Sequence, residues 1–247
     1  MAIEPQSLNL TFLGSGNAFA AEGRAFSSFL VNGRYLFDCG PTVLQQLRKL
    51  NIAASDIDAV FISHFHADHF FGLPFLLLDA KYGGRGKDLV IVGPPGVEQR
   101  TEDLLRLGYP SVTAEHTNSF RRCYVEVSDG CEAEIAGVAL MAASVEHVEE
   151  MQCFALRARI GNRVIVYSGD SKLCSGLLSL IPGADVIVLE CSCDGVPVHL
   201  SPEGVETVRR HASPDARLIV THLDGHDHPN GYENLIVAQD LASFTFD

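Results

Sequence analysis

The sequence predicts an α/β fold, a four-layer αββα sandwich in which two mixed β-sheets are flanked by helices. Three observations lead there. Strand-rich segments come first and strand–helix alternation follows, and this order occurs in both halves of the chain. The apolar share is 47% and the charged share 20%, enough to fill a sizeable core. No linker, repeat or low-complexity run divides the chain, so residues 1–247 are expected to form a single domain.

The elements follow in order. Leu8 to Leu13 alternates and ends in Gly14-Ser15-Gly16. Ser28 to Val31 and Arg34 to Phe37 read as a hairpin around Asn32-Gly33, a type I′ turn pair. Pro41 at a first helical position opens a helix with Val43, Leu44, Leu47 and Leu50 on one face. Asp58 to Ile62 is a short buried strand. A helix near Pro74 to Lys81, a strand at Leu89 to Val92 and a helix over Val97 to Leu107 come next. Strands return at Tyr124 to Val127, Ala139 to Val145, Cys153 to Arg159 and Arg163 to Tyr167. Val186 to Leu189 and Leu218 to Val220 are strands. Between them Ser201-Pro202-Glu203 starts a helix, with Ser as N-cap and Pro at the first position.

The chain carries 18 Lys and Arg against 31 Asp and Glu, a formal charge of −13. That opposes gripping a long polyanion or an anionic membrane, but not binding a small anion at a local positive centre. Nucleic acid is therefore not the expected partner. The seven Cys are an odd number in a chain too large to need staples. Met1 to Leu10 lacks a basic region followed by an apolar one, so a reducing, cytoplasmic location is expected. The most apolar run, Phe70 to Leu78, is interrupted by Gly72 and Pro74 and is too short to span a bilayer.

Chemistry concentrates in Ser63-His64-Phe65-His66-Ala67-Asp68-His69. Three imidazoles and a carboxylate stand at the end of an apolar strand. If the strand continued, its period of two would place His64 and His66 on one side, and the turn would bring Asp68 and His69 to a second point. Neutral imidazole suits Zn²⁺, Mn²⁺, Fe²⁺ or Ni²⁺, and a carboxylate adds hardness and charge compensation. His147, Asp170 and His222 each follow an apolar strand, where ligands gather in layered α/β folds. Singly, each reads equally well as a cap or surface residue; beside the cluster, they read as ligands.

These motifs resemble the metallo-β-lactamase superfamily: His64-Phe65-His66-Ala67-Asp68-His69, His147, Ser168-Gly169-Asp170 and Thr221-His222. Phe12-Leu13-Gly14-Ser15-Gly16, Arg24 to Val31, Phe37-Asp38-Cys39-Gly40 and Gly72-Leu73-Pro74 look like its ribonuclease Z branch, which includes phosphodiesterases of smaller substrates. The resemblance implies the metallo-β-lactamase fold and two divalent metal ions, zinc foremost, with manganese or iron as alternatives. His64, His66 and His147 would hold the first. Asp68, His69 and His222 would hold the second. Asp170 would bridge them, with a hydroxide between.

Asp68 has a second candidate role, orienting or deprotonating the attacking water. His199, in Val198-His199-Leu200-Ser201-Pro202, resembles the branch's additional histidine, placed to contact the scissile phosphate or protonate the leaving oxygen. Glu190 ends a strand and is expected to hydrogen-bond His199. Cys191 and Cys193 read as buried or supporting thiols, since the metal set is complete without them. His226 and His228 read as a solvated loop, and His116 and His211 as surface. Gly14-Ser15-Gly16-Asn17 lacks the Lys-Ser/Thr of a phosphate loop.

In the branch's tRNA processors a basic, Gly/Pro-rich arm is inserted between the third metal histidine and the bridging aspartate. Here His147 and Asp170 are only 23 residues apart, and two strand-like segments fill the gap. The sequence therefore predicts a phosphodiesterase acting on a small cyclic or aryl-type phosphodiester. The alternatives are an ester, thioester or lactone hydrolase on the same site, a ribonuclease Z-like endoribonuclease, and a metal- or ligand-sensing protein without turnover. The branch resemblance is compatible with a homodimer.

Overall fold

The computed structural model describes residues 7–110, 120–193, 195–226 and 234–247. The first sheet holds β1 (Leu8–Gly14), β2 (Ser28–Val31), β3 (Tyr35–Phe37), β4 (Ala59–Phe61), β5 (Leu89–Gly93) and β6 (Arg122–Glu126). The second holds β7 (Glu132–Ile135), β8 (Val138–Val145), β9 (Cys153–Ile160), β10 (Arg163–Tyr167), β11 (Val186–Glu190), β12 (Arg217–Thr221) and β13 (Leu235–Val237). A last strand, β14 (Ser243–Phe246), returns to the first sheet beside β1.

The strand orders are β14-β1-β2-β3-β4-β5-β6 and β13-β12-β11-β10-β9-β8-β7. Each sheet is antiparallel through its first hairpins and parallel afterwards. In the first, β3, β4, β5 and β6 run parallel. In the second, β10, β11, β12 and β13 do. This is the expected αββα arrangement. The helices α1 (Val43–Lys49), α2 (Ala67–Phe70), α3 (Leu73–Tyr82) and α4 (Val97–Gly108) accompany the first sheet, and α5 (Ser175–Leu180) and α6 (Pro202–His211) the second.

The layers follow from burial. Between the sheets lie Phe12, Phe29, Phe37, Phe61, Phe154, Leu156 and Tyr167, contributed by inward-facing positions of both. Val43, Leu47, Leu73, Leu76 and Leu105 pack the helices onto the outer face of the first sheet. Leu177, Leu180, Val205 and Val208 do the same on the second. The parallel strands are buried on both faces, as the unbroken apolar runs Val-Ile-Val-Leu in β11 and Leu-Ile-Val in β12 require.

Local chemistry decides several boundaries. Asn32 and Gly33 both have positive φ (51° and 66°), the type I′ geometry that their identities foretell. Ser201 caps α6 by accepting the Gly204 N–H, with Pro202 at the first position. Pro41 does not open α1. Val43 N–H first closes a turn onto Gly40 O, and the helix begins there. Among the described residues, no helix is long and apolar enough to cross a membrane.

Candidate metal centre

The candidate residues gather where parallel strands of the two sheets end. The histidine motif leaves β4 as a loop rather than a continuing strand. His66 is the N-cap of the one-turn helix α2, which presents Asp68 and His69. His147 follows β8, Asp170 follows β10, Glu190 ends β11 and His222 follows β12. His222 sits at φ 57°, a left-handed conformation costly for a residue with a Cβ. Gly169 (φ 57°) lets the chain pass Ser63: a Cβ there would meet the Ser63 Cβ at 2.8 Å.

Among the described residues four overlapping sets of ligand atoms result, each within 4.8 Å: a first group of His64, His66, His147 with Asp170, a second of Asp68, His69 with His222, and two that bring in His199, with His147 and Glu190 and with Asp170 and His222. In the first, His64 Nε2 and His147 Nε2 approach His66 Nδ1 at 3.0 and 3.2 Å. The outer nitrogens settle the tautomers. His147 Nδ1 donates to Val198 O at 2.9 Å, and His64 Nδ1 stands 3.0 Å from Ser63 Oγ. Both Nε2 atoms then point bare lone pairs at the same small space. In the second group, His69 Nε2 and His222 Nε2 lie 3.2 and 3.4 Å from Asp68 Oδ2. Asp170 stands between the groups, with His69 Nε2 and His222 Nε2 at 3.3 Å and His147 Nε2 at 3.8 Å.

This donor set fits divalent cations. His69 Nε2, His222 Nε2 and Asp170 Oδ1 are buried and have no hydrogen-bond partner. Converging unpaired donors are costly in a protein interior unless a cation joins them. Burial and the neighbouring charges set the titration of each group. Burial, reinforced by neighbouring imidazoles, pushes His64 well below the usual histidine range. Burial likewise lowers His66 and His147. For His69, burial acts downward, but Asp170, Asp68 and Asp38 outweigh it and hold the imidazole well above its ordinary value. Asp170 is buried, which opposes its charge, yet His222 and His69 keep it well below the carboxylate range.

His199 lies beside this centre. Its ring stands 5.0 Å from that of His147 and 5.4 Å from that of His222. Its Nδ1 donates to Glu190 Oε2 at 2.7 Å. Burial and the Asp170 charge push the Glu190 carboxyl up, and His199 works against them.

Of the remaining candidates, Cys191 is buried and Cys193 half-buried, and neither joins the ligand groups. Ser15 N–H and Oγ donate to Asp240, so the glycine-flanked turn is tied by the chain itself. His211 is exposed and bonds Thr207 O. His226 is exposed, its N–H bound to Asp224, whereas His116 and His228 lie outside the described residues. One buried group had no role in the sequence reading. Asp38, fully buried at the end of β3, accepts hydrogen bonds from Ser63, His69 and Tyr167. The signals were the branch-like Phe37-Asp38-Cys39-Gly40 run and an Asp after an apolar strand, the same position that marks Asp170.

The chain is similar to several known proteins. A family model described as "Anti-Pycsar protein Apyc1" matches residues 8–231. A ribonuclease Z of Methanosarcina acetivorans is 26% identical over 300 aligned positions, covering 95% of this chain and 96% of the relative. The metallo-β-lactamase fold protein YhfI of Bacillus subtilis superposes with a TM-score of 0.76 at 20% identity, covering 97% of this chain and 99% of that one. A diphosphatase of the PhnP family gives 0.75 at 19% identity, covering 97% and 98%. The fold is thus the metallo-β-lactamase fold, with ribonuclease Z-like homologues.

Proposed function

Because the chain belongs to the family described as anti-Pycsar protein Apyc1 and is a hydrolase of the metallo-β-lactamase fold, we propose that it hydrolyses a small cyclic or aryl-type phosphodiester. On this reading the whole chain is one hydrolase unit, and His64, His66, His147, Asp68, His69, His222 and Asp170 would hold two divalent ions, zinc foremost.

One observation carries the choice of a small substrate. From His147 to Asp170 the chain runs through β9 and β10; β9 pairs with β8 on one side and β10 on the other, and β10 with β11, leaving no room for a projecting arm. An alignment of 300 positions onto a chain of 247 residues also means that the ribonuclease Z relative carries internal segments absent here. The acidic surface points the same way, since a long polyanion would meet a net charge of −13.

When bound, the ions supply Lewis acidity towards a phosphoryl oxygen and the attacking water. The chain's own groups do the rest. Asp68 presents Oδ2 to His69 and His222, and its other oxygen is the one left to accept a proton from the water. His199 donates from Nδ1 to Glu190, and on this reading the ring so held delivers a proton to the leaving alkoxide. Glu190 fixes that ring and stabilises its charged form.

The test is a substrate panel. Protein reconstituted with Zn²⁺ or Mn²⁺ is given a cyclic nucleotide, an aryl phosphodiester, a thioester and a lactone. Turnover of phosphodiesters with little of the others is expected. Turnover confined to the thioester or lactone would overturn the reading in favour of carbonyl chemistry, and tight metal binding with no turnover would favour a sensor.

A further inference from the structure

His222 reaches the second ligand group from a left-handed backbone, φ 57°, which a residue with a Cβ keeps only where its surroundings impose it. Its two chain neighbours are held by the other sheet. Thr221, before it, shares a buried hydrogen bond with Ser27, Oγ1 to Oγ at 3.0 Å. Leu223, after it, donates its N–H to Ser15 O at 2.8 Å and accepts the Asn17 N–H at 3.2 Å. His222 follows β12 of the second sheet, whereas Ser15 and Asn17 follow β1 and Ser27 precedes β2, both in the first.

One carboxylate organises that first-sheet segment. Asp240 Oδ1 accepts the Ser15 N–H at 2.9 Å and the Ser15 hydroxyl at 2.8 Å, and Oδ2 accepts the Ala25 N–H at 2.7 Å. It thereby joins the turn after β1 to the approach to β2. Those two stretches also bond each other, Gly16 N–H to Ala25 O and Ser27 N–H to Gly16 O. The fit is close: a Cβ on Gly16 would meet the Arg24 Cβ at 2.6 Å. Asp240 itself stands where the chain crosses between the sheets. Ala238 N–H still bonds Val220 O of β12, and Leu241 N–H already bonds Phe12 O of β1.

We propose that Asp240 is a positioning residue for His222. By holding Ser15 and Ala25 together it fixes the edge on which Leu223 is seated. That keeps the His222 Nε2 turned toward Asp68 and Asp170, at 3.4 and 3.3 Å. The three bonds of Asp240 go to Ser15 and Ala25, outside both ligand groups. The inference rests on the reading that these groups bind divalent ions. Its distinctive consequence is selectivity: removing this carboxylate weakens the ion held by His222 and spares the one held by His64, His66 and His147.

The experiment titrates metal-free protein with Zn²⁺ against a chromophoric chelator and measures melting temperatures of the metal-free proteins in parallel. Wild type is expected to bind two ions, and His222→Ala marks which affinity belongs to the His222 position. Asp240→Ala should weaken that ion by about 10-fold, the low end of the range for losing a group that orients a ligand, and leave the other unchanged. Ser15→Ala, which removes one of the three bonds to Asp240, and Ser27→Ala, which releases Thr221, should weaken the same ion less. Unchanged affinities in Asp240→Ala despite a lowered melting temperature would overturn the proposal in favour of a merely structural tie. Equal weakening of both ions would also overturn it. If Asp240→Ala does not fold, the two serine variants decide: wild-type affinities in both would overturn the proposal, and weakening confined to the His222 ion would support it. A wild type that binds no ion would overturn the metal reading itself, and this inference with it.

Discussion

His199 Nδ1 lies 2.7 Å from Glu190 Oε2, while the other oxygen of Glu190 accepts the Ser171 N–H. The imidazole is thus held by a buried carboxylate that is itself fixed at both ends. Such a pair orients a ring for proton delivery and favours its protonated form.

Replacing His199 by Ala should leave the metal content unchanged and slow turnover by about 10²–10⁴-fold, the usual contribution of a positioned acid. Glu190→Gln should act in the same direction. Elemental analysis and steady-state kinetics on the same preparations check both. Full activity of His199→Ala on every substrate would remove its assigned role.

Asp170 stands between the two ligand groups with an unpartnered, buried Oδ1. Asp170→Ala should therefore lose metal loading and turnover together. Retention of two ions per chain would show that it does not bridge them.

The clustered imidazoles and carboxylates face one another without intervening partners, so metal should stabilise the native state strongly. Ion at 100 times its dissociation constant adds about 2.7 kcal/mol per site. Chelation should lower the melting temperature, and stoichiometric Zn²⁺ should restore it. A melting curve indifferent to chelator would contradict this.

Asp58, just before β4, accepts bonds from Arg34 and Lys87. Burial opposes its charge, but Lys87 and Arg34 prevail and hold its folded-state value below the ordinary one. The resulting stability is fully present above the unfolded carboxylate value of about 3.9 and is lost as pH falls through the lower folded value. Both cations are about half exposed, at 59% and 51%, so the effect is screened. Asp58→Asn should lower stability by up to about 1 kcal/mol at pH 7, with the difference closing below pH ~4. Denaturant unfolding at both pH values reads this.

Much of the fold was legible because its signals are local. The Asn32-Gly33 turn and the Ser201-Pro202 start each carry their geometry in two adjacent residues. The missed elements lack such signals. Glu132–Ile135 reads Glu-Ala-Glu-Ile, with three of four residues exposed, and is a strand only because it edges β8. Ser243–Phe246 alternates, but nothing nearby says that it pairs with β1 at the other end of the chain. The candidate ligands were legible because each follows an apolar run. Asp38 follows one too, but it accepts a hydrogen bond from Tyr167, 129 residues later and on the other sheet, a contact that only the packing of the two sheets creates.

The proposed substrate is a small phosphodiester rather than RNA. The most direct measurement compares kcat/KM of the zinc- or manganese-loaded protein for a cyclic nucleotide and for a precursor tRNA with a 3′ trailer, at low salt. A kcat/KM of at least about 10⁴ M⁻¹s⁻¹ on the cyclic phosphodiester, within the ordinary enzymatic range, is expected, with no trailer removal. Efficient, site-specific trailer cleavage with no turnover of the cyclic nucleotide would contradict it.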